Sequence, residues 1–330
     1  MKILIVRFSS IGDIVLTTPI IRALKKQNAG AEIHYLTKKN FLPLLEANPH
    51  LSRVYAIEKN INEVLPELKN EQYDYLIDLH HNLRTLQLKF KLGVKCFSFP
   101  KLNFKKWILV NLKINKLPKK HIVDRYFETV KALGVKNDNL PSELFYKQED
   151  EINVKAIFGI EKNKFIAVAL GAQFQTKQIP TVTLSKILSK IDVPIVLLGG
   201  KEDLVKGKEL ITLLPQKNIH LTCGEYTLMQ SACIVSQAKV LLTGDTGMMH
   251  IAACFNRQIV SVWGNTIPDL GMYPYLPESS EKLSIHEVNN LSCRPCSKIG
   301  YQKCPKGHFN CMNLQDTKAI YQDLIDRINL

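Results

Sequence analysis

Eight short apolar runs, rich in β-branched residues and separated by helix-type patterns, constrain this chain more than any other feature. The first half carries KILIVR (2–7), EIHYL (32–36), RVYAI (53–57) and DYLID (74–78). The second carries FIAVAL (165–170), PIVLLG (194–199), KVLLT (239–243) and QIVSVW (258–263). Amphipathic helical patterns lie at 13–27, 61–70, 82–92 and 123–133, then near 184–190, 202–214, 228–237 and 248–255. Strands that alternate with helices pair in parallel, and the helices cover both faces of the sheet. At 330 residues the chain exceeds what one core holds, so two α/β domains are expected, 1–150 and 151–330. The polar stretch 146–164 is the expected connection. A last helix, 316–330, carries no signal for the domain on which it packs.

The composition, 45% hydrophobic and 22% charged, is that of a soluble globular protein. The apolar start is halted by Arg7, so no signal peptide is read there, and no run reaches membrane-spanning length. Eight cysteines without a secretion signal read as reduced thiols of a cytoplasmic protein. The net charge of +14 is unevenly placed: between Asp78 and Asp124 there is no carboxylate, while Arg84 and ten lysines fall there. Phe90, Phe97, Phe99, Phe104 and Trp107 are interleaved with them. Such a window suits an anionic membrane face or phosphorylated lipid, or nucleic acid through phosphate contacts. The plain alternative is a solvated basic surface whose aromatics are core.

Function is sought at the strand ends, because parallel sheets bind ligands beyond their carboxyl edges. The stretch KVLLTGDTGMMHIAA (239–253) is a strand, a glycine turn and a helix, an arrangement that aims backbone N–H groups and the positive helix end at one point. It reads as a phosphate site with His250 one turn behind, or as an ordinary corner with Asp245 as a cap. All four strand ends of the second half carry glycine: Gly171, Gly199-Gly200, Gly244 and Gly264. Glycine admits a ligand close to the backbone, which assigns the nucleotide or phosphate to this domain. Lys177 follows the first of these ends and either reaches the phosphate position or is a surface lysine. Glu202 either bonds ribose hydroxyls or complements a helix dipole. After the first strand comes Phe8-Ser9-Ser10-Ile11-Gly12-Asp13, which is neither a dinucleotide fingerprint nor a P-loop. Asp13 there is a general base facing an interdomain cleft or a helix cap.

Cys293, Cys296, Cys304 and Cys311 form C-x2-C-x7-C-x6-C beside His308. Four sulfurs so close hold a structural zinc or stay reduced thiols, and the later spacings fit no standard finger. Cys96, Cys223, Cys233 and Cys254 are scattered and expected to be buried.

Taken together, ILIVRFSSIGDIVLTTPIIRALK (3–25) and GDTGMMHIAA (244–253), with GAQFQTKQIP, VLLGGKED and GNTIPD in order between and after them, resemble a known family. It is the bacterial ADP-heptose:lipopolysaccharide heptosyltransferases of glycosyltransferase family nine, and the likeness spans nearly the whole chain. Where that family usually has basic and aromatic residues after the Thr-Lys pair, this chain has Gln178-Ile179; the lysine-rich window matches no family motif. The resemblance implies a GT-B architecture of two Rossmann-like domains facing across a cleft, with acceptor on the first and donor on the second. It implies an inverting transfer of a heptose or related sugar from an ADP-sugar to a phosphorylated glycolipid acceptor. In that scheme Asp13 is the base, with Ser9, Ser10 and Gly12 on the acceptor side. Lys177 and the N–H groups of Thr246 and Gly247 meet the diphosphate. Asp245 and His250 shape that site, and Thr176 and Glu202 contact the nucleotide. No D-x-D pair occurs in the chain, so metal-independent transfer with no cofactor is expected. The expected location is the cytoplasmic face of the inner membrane, with no nucleic-acid partner. A sugar-nucleotide epimerase and a non-catalytic basic lipid- or nucleic-acid-binding module are the other two classes.

Overall fold

A computed structural model describes residues 1–330. Eleven strands run β1 (Lys2–Val6), β2 (Glu32–Lys38), β3 (Arg53–Ile57), β4 (Tyr75–Asp78), β5 (Lys95–Ser98), β6 (Ile166–Ala169), β7 (Ile195–Leu198), β8 (Ile219–Leu221), β9 (Val240–Gly244), β10 (Gln258–Trp263) and β11 (Leu283–Glu287). The helices of the first half are α1 (Ile11–Val15), α2 (Thr18–Gln27), α3 (Leu65–Asn70), α4 (Leu83–Leu92), α5 (Asn103–Leu112) and α6 (Ile122–Phe127). Those of the second are α7 (Val154–Phe158), α8 (Thr181–Leu188), α9 (Leu204–Leu213), α10 (Leu228–Gln237), α11 (Gly247–Cys254), α12 (Asn310–Asn313) and α13 (Thr317–Asn329).

The chain forms two compact units. The first comprises Met1–Lys101 and Lys120–Lys147; the second comprises Leu102–Lys119 and Gln148–Leu330. A single division at residue 150 would put 102–119 with the first unit, yet α5 and its flanks pack with the second. Lys113, just past α5, donates from Nζ to the carbonyls of Pro295 (2.7 Å) and Cys293 (3.1 Å), and Asn115 donates to Asp269 at 2.7 Å.

The first unit is a five-stranded parallel sheet in the order β3-β2-β1-β4-β5. Its central strand, β1, is apolar because both faces are covered: Ile3, Leu4, Ile5 and Val6 are fully buried. The helical pattern 13–27 is two helices, not one. Pro19 offers no N–H to continue the first helix. The Thr17 and Thr18 hydroxyls cap it by donating to the carbonyls of Ile14 (2.7 Å) and Val15 (2.8 Å).

The second unit is a six-stranded parallel sheet in the order β11-β10-β9-β6-β7-β8. Ile320 and Leu324 of α13 bury into the same core as Val240, Leu242, Val260 and Val262, so the last helix belongs to this unit. All eight apolar runs are strands. Of the three further strands, β5, β8 and β11, every one lies at a sheet edge. No helix is long and apolar enough to cross a membrane.

Candidate functional site

Each unit carries one cluster at the carboxyl edge of its sheet. In the first, β1 runs into Arg7 and the turn Phe8-Ser9-Ser10 before α1 begins. Ser10 is the N-cap of α1, and Asp13 sits at the third helical position. Asp13 Oδ2 accepts from the Ser10 hydroxyl (2.8 Å) and the Ser10 N–H (3.3 Å), while Oδ1 lies 2.5 Å from Arg7 Nη2. Asp13 therefore closes a reciprocal cap without being the cap itself. Its side chain keeps 22% exposure, enough to meet a second molecule.

Arg7 is the fixed element of this pair. It is 9% exposed, and its Nε and Nη1 donate to the carbonyls of Ser9 (2.7 Å) and Leu79 (2.5 Å). Burial, the largest single influence, would favour loss of its proton, but the charge and hydrogen bond of Asp13 together with Tyr126 and Tyr35 outweigh it and hold the guanidinium charged.

Beside this pair lies a cavity of about 480 Å³ lined by Phe8, Ser9, Lys38, His80, Asn82, Leu83 and Arg84. Its walls come from the carboxyl ends of β1, β2 and β4 and from the first turn of α4. Asn82 caps α4 by accepting from the Thr85 N–H at 3.0 Å. Lys38 and Arg84 make the cavity cationic. His80 packs edge-on to Phe8 with centroids 5.2 Å apart. Burial, then the charges of Arg7 and Lys101, push its imidazole down to about 4, so it is neutral at pH 7. A positive, partly apolar recess of this kind accepts an anionic sugar or phosphate. The Ser9 side of it adjoins Asp13, whereas Gly12 is buried inside α1 and offers no group to the cavity.

In the second unit, Lys177 Nζ lies 2.7 Å from Asp245 Oδ2, and the Thr266 hydroxyl donates to that same oxygen at 2.7 Å. Thr246, not Asp245, is the N-cap of α11, and its hydroxyl lies 2.9 Å from that of Thr243. The first N–H groups of a helix have no partner within it, so α11 points donors and its positive end out from Thr246 and Gly247. His250 is buried one turn further in. The Thr176 hydroxyl is taken up by the Tyr301 backbone, donating to its carbonyl (2.9 Å) and accepting from its N–H (2.8 Å). Thr176 thus anchors the turn that presents Lys177. Glu202 is exposed and folds over Gly200, leading into α9.

The strand-end glycines have a different cause from the one expected. A Cβ on Gly244 would stand 2.1 Å from the Lys177 carbonyl oxygen, and one on Gly264 would stand 2.7 Å from that of Thr176. A Cβ on Gly171 would meet the Asp203 carboxylate at 2.1 Å. The chain's own turn and its own buried carboxylate fill these spaces, not a ligand.

Sequence reasoning missed Arg7, Lys38, His80, Asp203 and Lys206. Asp203 is buried, with Oδ2 accepting the Gly200 N–H at 2.9 Å, and burial raises its carboxyl. Burial lowers the Lys206 amine to about 8, and that amine donates to the Leu170 carbonyl at 3.2 Å. Lys38 and His80 were findable by the same rule applied in the second half, since both stand just past carboxyl ends of predicted strands.

Comparison with known proteins agrees with this layout. Residues 62–303 match the sequence profile of glycosyltransferase family 9 (heptosyltransferase). Lipopolysaccharide heptosyltransferase 1 of Campylobacter coli is 24% identical, the match covering 81% of this chain and 84% of that one. The structure of E. coli ADP-heptose lps heptosyltransferase II superimposes with a TM-score of 0.75 at 19% identity over 100% of this chain and 99% of that one. That of E. coli heptosyltransferase WaaC with ADP gives 0.68 at 17% identity over 99% of this chain and 100% of that one. The two parallel-sheet units are thus of GT-B type, and the chain belongs to glycosyltransferase family 9, the heptosyltransferases, and is a glycosyltransferase.

Proposed function

We propose that this enzyme transfers a heptose from ADP-heptose to a lipopolysaccharide core sugar linked to lipid A, with inversion and without a metal ion. The observation that carries the reading is Asp13: a part-exposed carboxylate at a strand end, oriented by Ser10 on one oxygen and by a buried guanidinium on the other. The acceptor hydroxyl gives its proton to Asp13 as its oxygen bonds to the anomeric carbon. The bond from that carbon to the diphosphate oxygen breaks on the opposite face, and ADP leaves with the electron pair. Lys177, held in place by Asp245, and the N–H groups at the start of α11 meet the charge that builds on the diphosphate. Thr176 sets the turn, while Glu202, Asp245 and His250 bound the nucleotide. Lys38 and Arg84 hold an anionic group of the acceptor.

The same reading places the enzyme at an anionic membrane surface. Phe104 is 73% and Trp107 54% exposed on α5, their rings stacked 6° from parallel, with Lys105, Lys106 and Lys113 alongside. On α4, Phe90 is 80% exposed between Lys89 and Lys91. Exposed rings among lysines suit a headgroup layer, each basic residue contributing about 1 kcal/mol near anionic lipid.

The test is a panel of ADP-, UDP- and GDP-sugars with and without a lipid A-core acceptor, reading released nucleotide and the anomeric configuration of the product. Release from the ADP-sugar only, only with acceptor, with inversion and unaffected by EDTA, supports the proposal. Altered sugar without acceptor points to an epimerase instead. Trp107 emission read with anionic and with neutral vesicles tests the membrane half. Trp263, the second tryptophan, is buried and gives a constant background.

A further inference from the structure

We propose that Lys206 is a positioning residue for the donor diphosphate: from α9 it clasps the two ends of the turn 171–178 and so fixes the backbone from which Lys177 reaches. The inference rests on the reading of Lys177 as the group that meets the diphosphate charge.

The turn leaves β6 and reaches α8 with only the short 3-10 turn Gln175–Lys177 inside it, so its shape depends on side-chain contacts. Thr176 is held on one side by the Tyr301 backbone. On the other side, directly after Lys177, Gln178 Nε2 donates to the Ala172 carbonyl at 3.2 Å and brings the end of the turn back to its start. The Lys206 ammonium bonds both ends at once, donating to the Leu170 carbonyl at 3.2 Å and to Gln178 Oε1 at 3.4 Å. An ammonium has three donors and no acceptor, so it can bridge two oxygens in this way. With the Gln178 oxygen turned to Lys206, its amide nitrogen is left to face Ala172, and each contact fixes the next. Ile179, the following residue, is buried in the core of this unit and anchors the exit of the turn.

α9 brings Lys206 this near because its neighbour Gly207 has no side chain. A Cβ there would stand 2.3 Å from Leu221 Cδ1 at the end of β8. The titratable groups that face the ammonium are Asp203 just ahead of α9, Glu209 one turn on, and Cys223 just past β8. Asp203 is committed to the Gly200 N–H at 2.9 Å, and Glu209 accepts from the Thr181 hydroxyl at 3.1 Å. Burial outweighs all three and leaves the amine at about 8. The charge on the clasp is therefore present at pH 7 and largely gone at pH 9, where the neutral amine is a weaker donor.

The experiment titrates ADP into the full chain by calorimetry at pH 7 and pH 9. At pH 7, Lys206→Met should bind ADP about three- to tenfold more weakly than the parent. The parent should lose affinity between pH 7 and pH 9, and Lys206→Met should lack that part of the loss, which a role in stability alone would not produce. Gln178→Ala removes the receiving amide and should weaken ADP to a similar degree. The double variant should bind no worse than the weaker single one, because both changes open the same clasp. Lys208→Met, at an exposed position on the same helix, should bind like the parent. If Lys206→Met does not fold, Gln178→Ala and its pH dependence beside the parent's decide. Parental ADP affinity in a folded Lys206→Met or Gln178→Ala, additive losses in the double variant, or one pH dependence shared by parent and variant overturns the proposal. If Lys177→Met also binds ADP like the parent, the reading of Lys177 fails; weakening in Lys177→Met with none in Lys206→Met overturns this inference alone.

Discussion

The Arg7 guanidinium meets the Asp13 carboxylate at 2.5 Å, while Ser10 holds the carboxylate's other oxygen. In the proposed reaction Asp13 is therefore aimed as a base before any acceptor arrives. Asp13→Asn keeps the shape but cannot take the proton, so turnover should fall by about 10²- to 10⁴-fold. ADP binding, which the proposed function assigns to the other unit, should be unchanged by calorimetry. A variant that keeps turnover would remove Asp13 from the chemistry.

Arg7 should tolerate no substitute. Arg7→Lys retains a charge but cannot serve Asp13, the Ser9 carbonyl and the Leu79 carbonyl together, as the planar fork does. A loss of about 2–4 kcal/mol in denaturant unfolding is expected, with turnover falling alongside. Parental stability in Arg7→Lys would show that the fork is not needed.

Gly244→Ala tests the packing beneath Lys177. The new methyl would stand 2.1 Å from the Lys177 carbonyl, a backbone atom that cannot swing aside. The turn must shift, costing about 1–3 kcal/mol and weakening ADP binding together. Gly134→Ala is the contrast: no atom lies within 4 Å of its Cβ, so only the backbone strain of φ +76° should register.

Lys177→Met removes the ammonium from Asp245, which keeps the Thr266 hydroxyl. Turnover should fall far more than stability, and ADP affinity should weaken by about tenfold or more. Equal ADP affinity in the variant would argue against a diphosphate role.

His80 gives a pH signature. Its imidazole titrates at about 4 in the folded chain against 6.5 ordinarily, so between those values the unfolded chain binds the proton and the folded chain does not. The contribution is fully present above pH 6.5 and is lost as pH falls towards 4, by at most about 3 kcal/mol and less for a part-exposed ring. The difference in unfolding free energy between the parent and His80→Gln should therefore shrink from pH 7 to pH 4.5. A difference that stays constant would show that His80 titrates normally.

How much of this was legible in the chain follows from burial. Strands covered on both faces, such as Ile3–Val6, are written in continuous apolar residues and were all readable. β5, β8 and β11 are edge strands with half-exposed residues, such as His220 and Ser284, and their pattern resembles a loop. Proline placement could have split the 13–27 pattern, since Pro19 sits where a single helix would need its N–H. Arg7 looked like a polar stop to an apolar start, because its partners include Leu79, 72 residues away. Asp203 was hidden for a related reason: what it fills is the space left by Gly171, distant in the chain. The glycines themselves were conspicuous, but composition cannot say whether a ligand or the protein's own backbone needs the room.

The crossing of residues 102–119 from one unit to the other has a practical reach. Exchanging whole units between relatives takes three junctions, at 101/102, 119/120 and 147/148, and not one. A chimaera cut once near 147 would carry a foreign α5 whose Lys113 no longer finds the carbonyls of Cys293 and Pro295. Hybrid enzymes that exchange the first unit should therefore leave that helix with its own second unit.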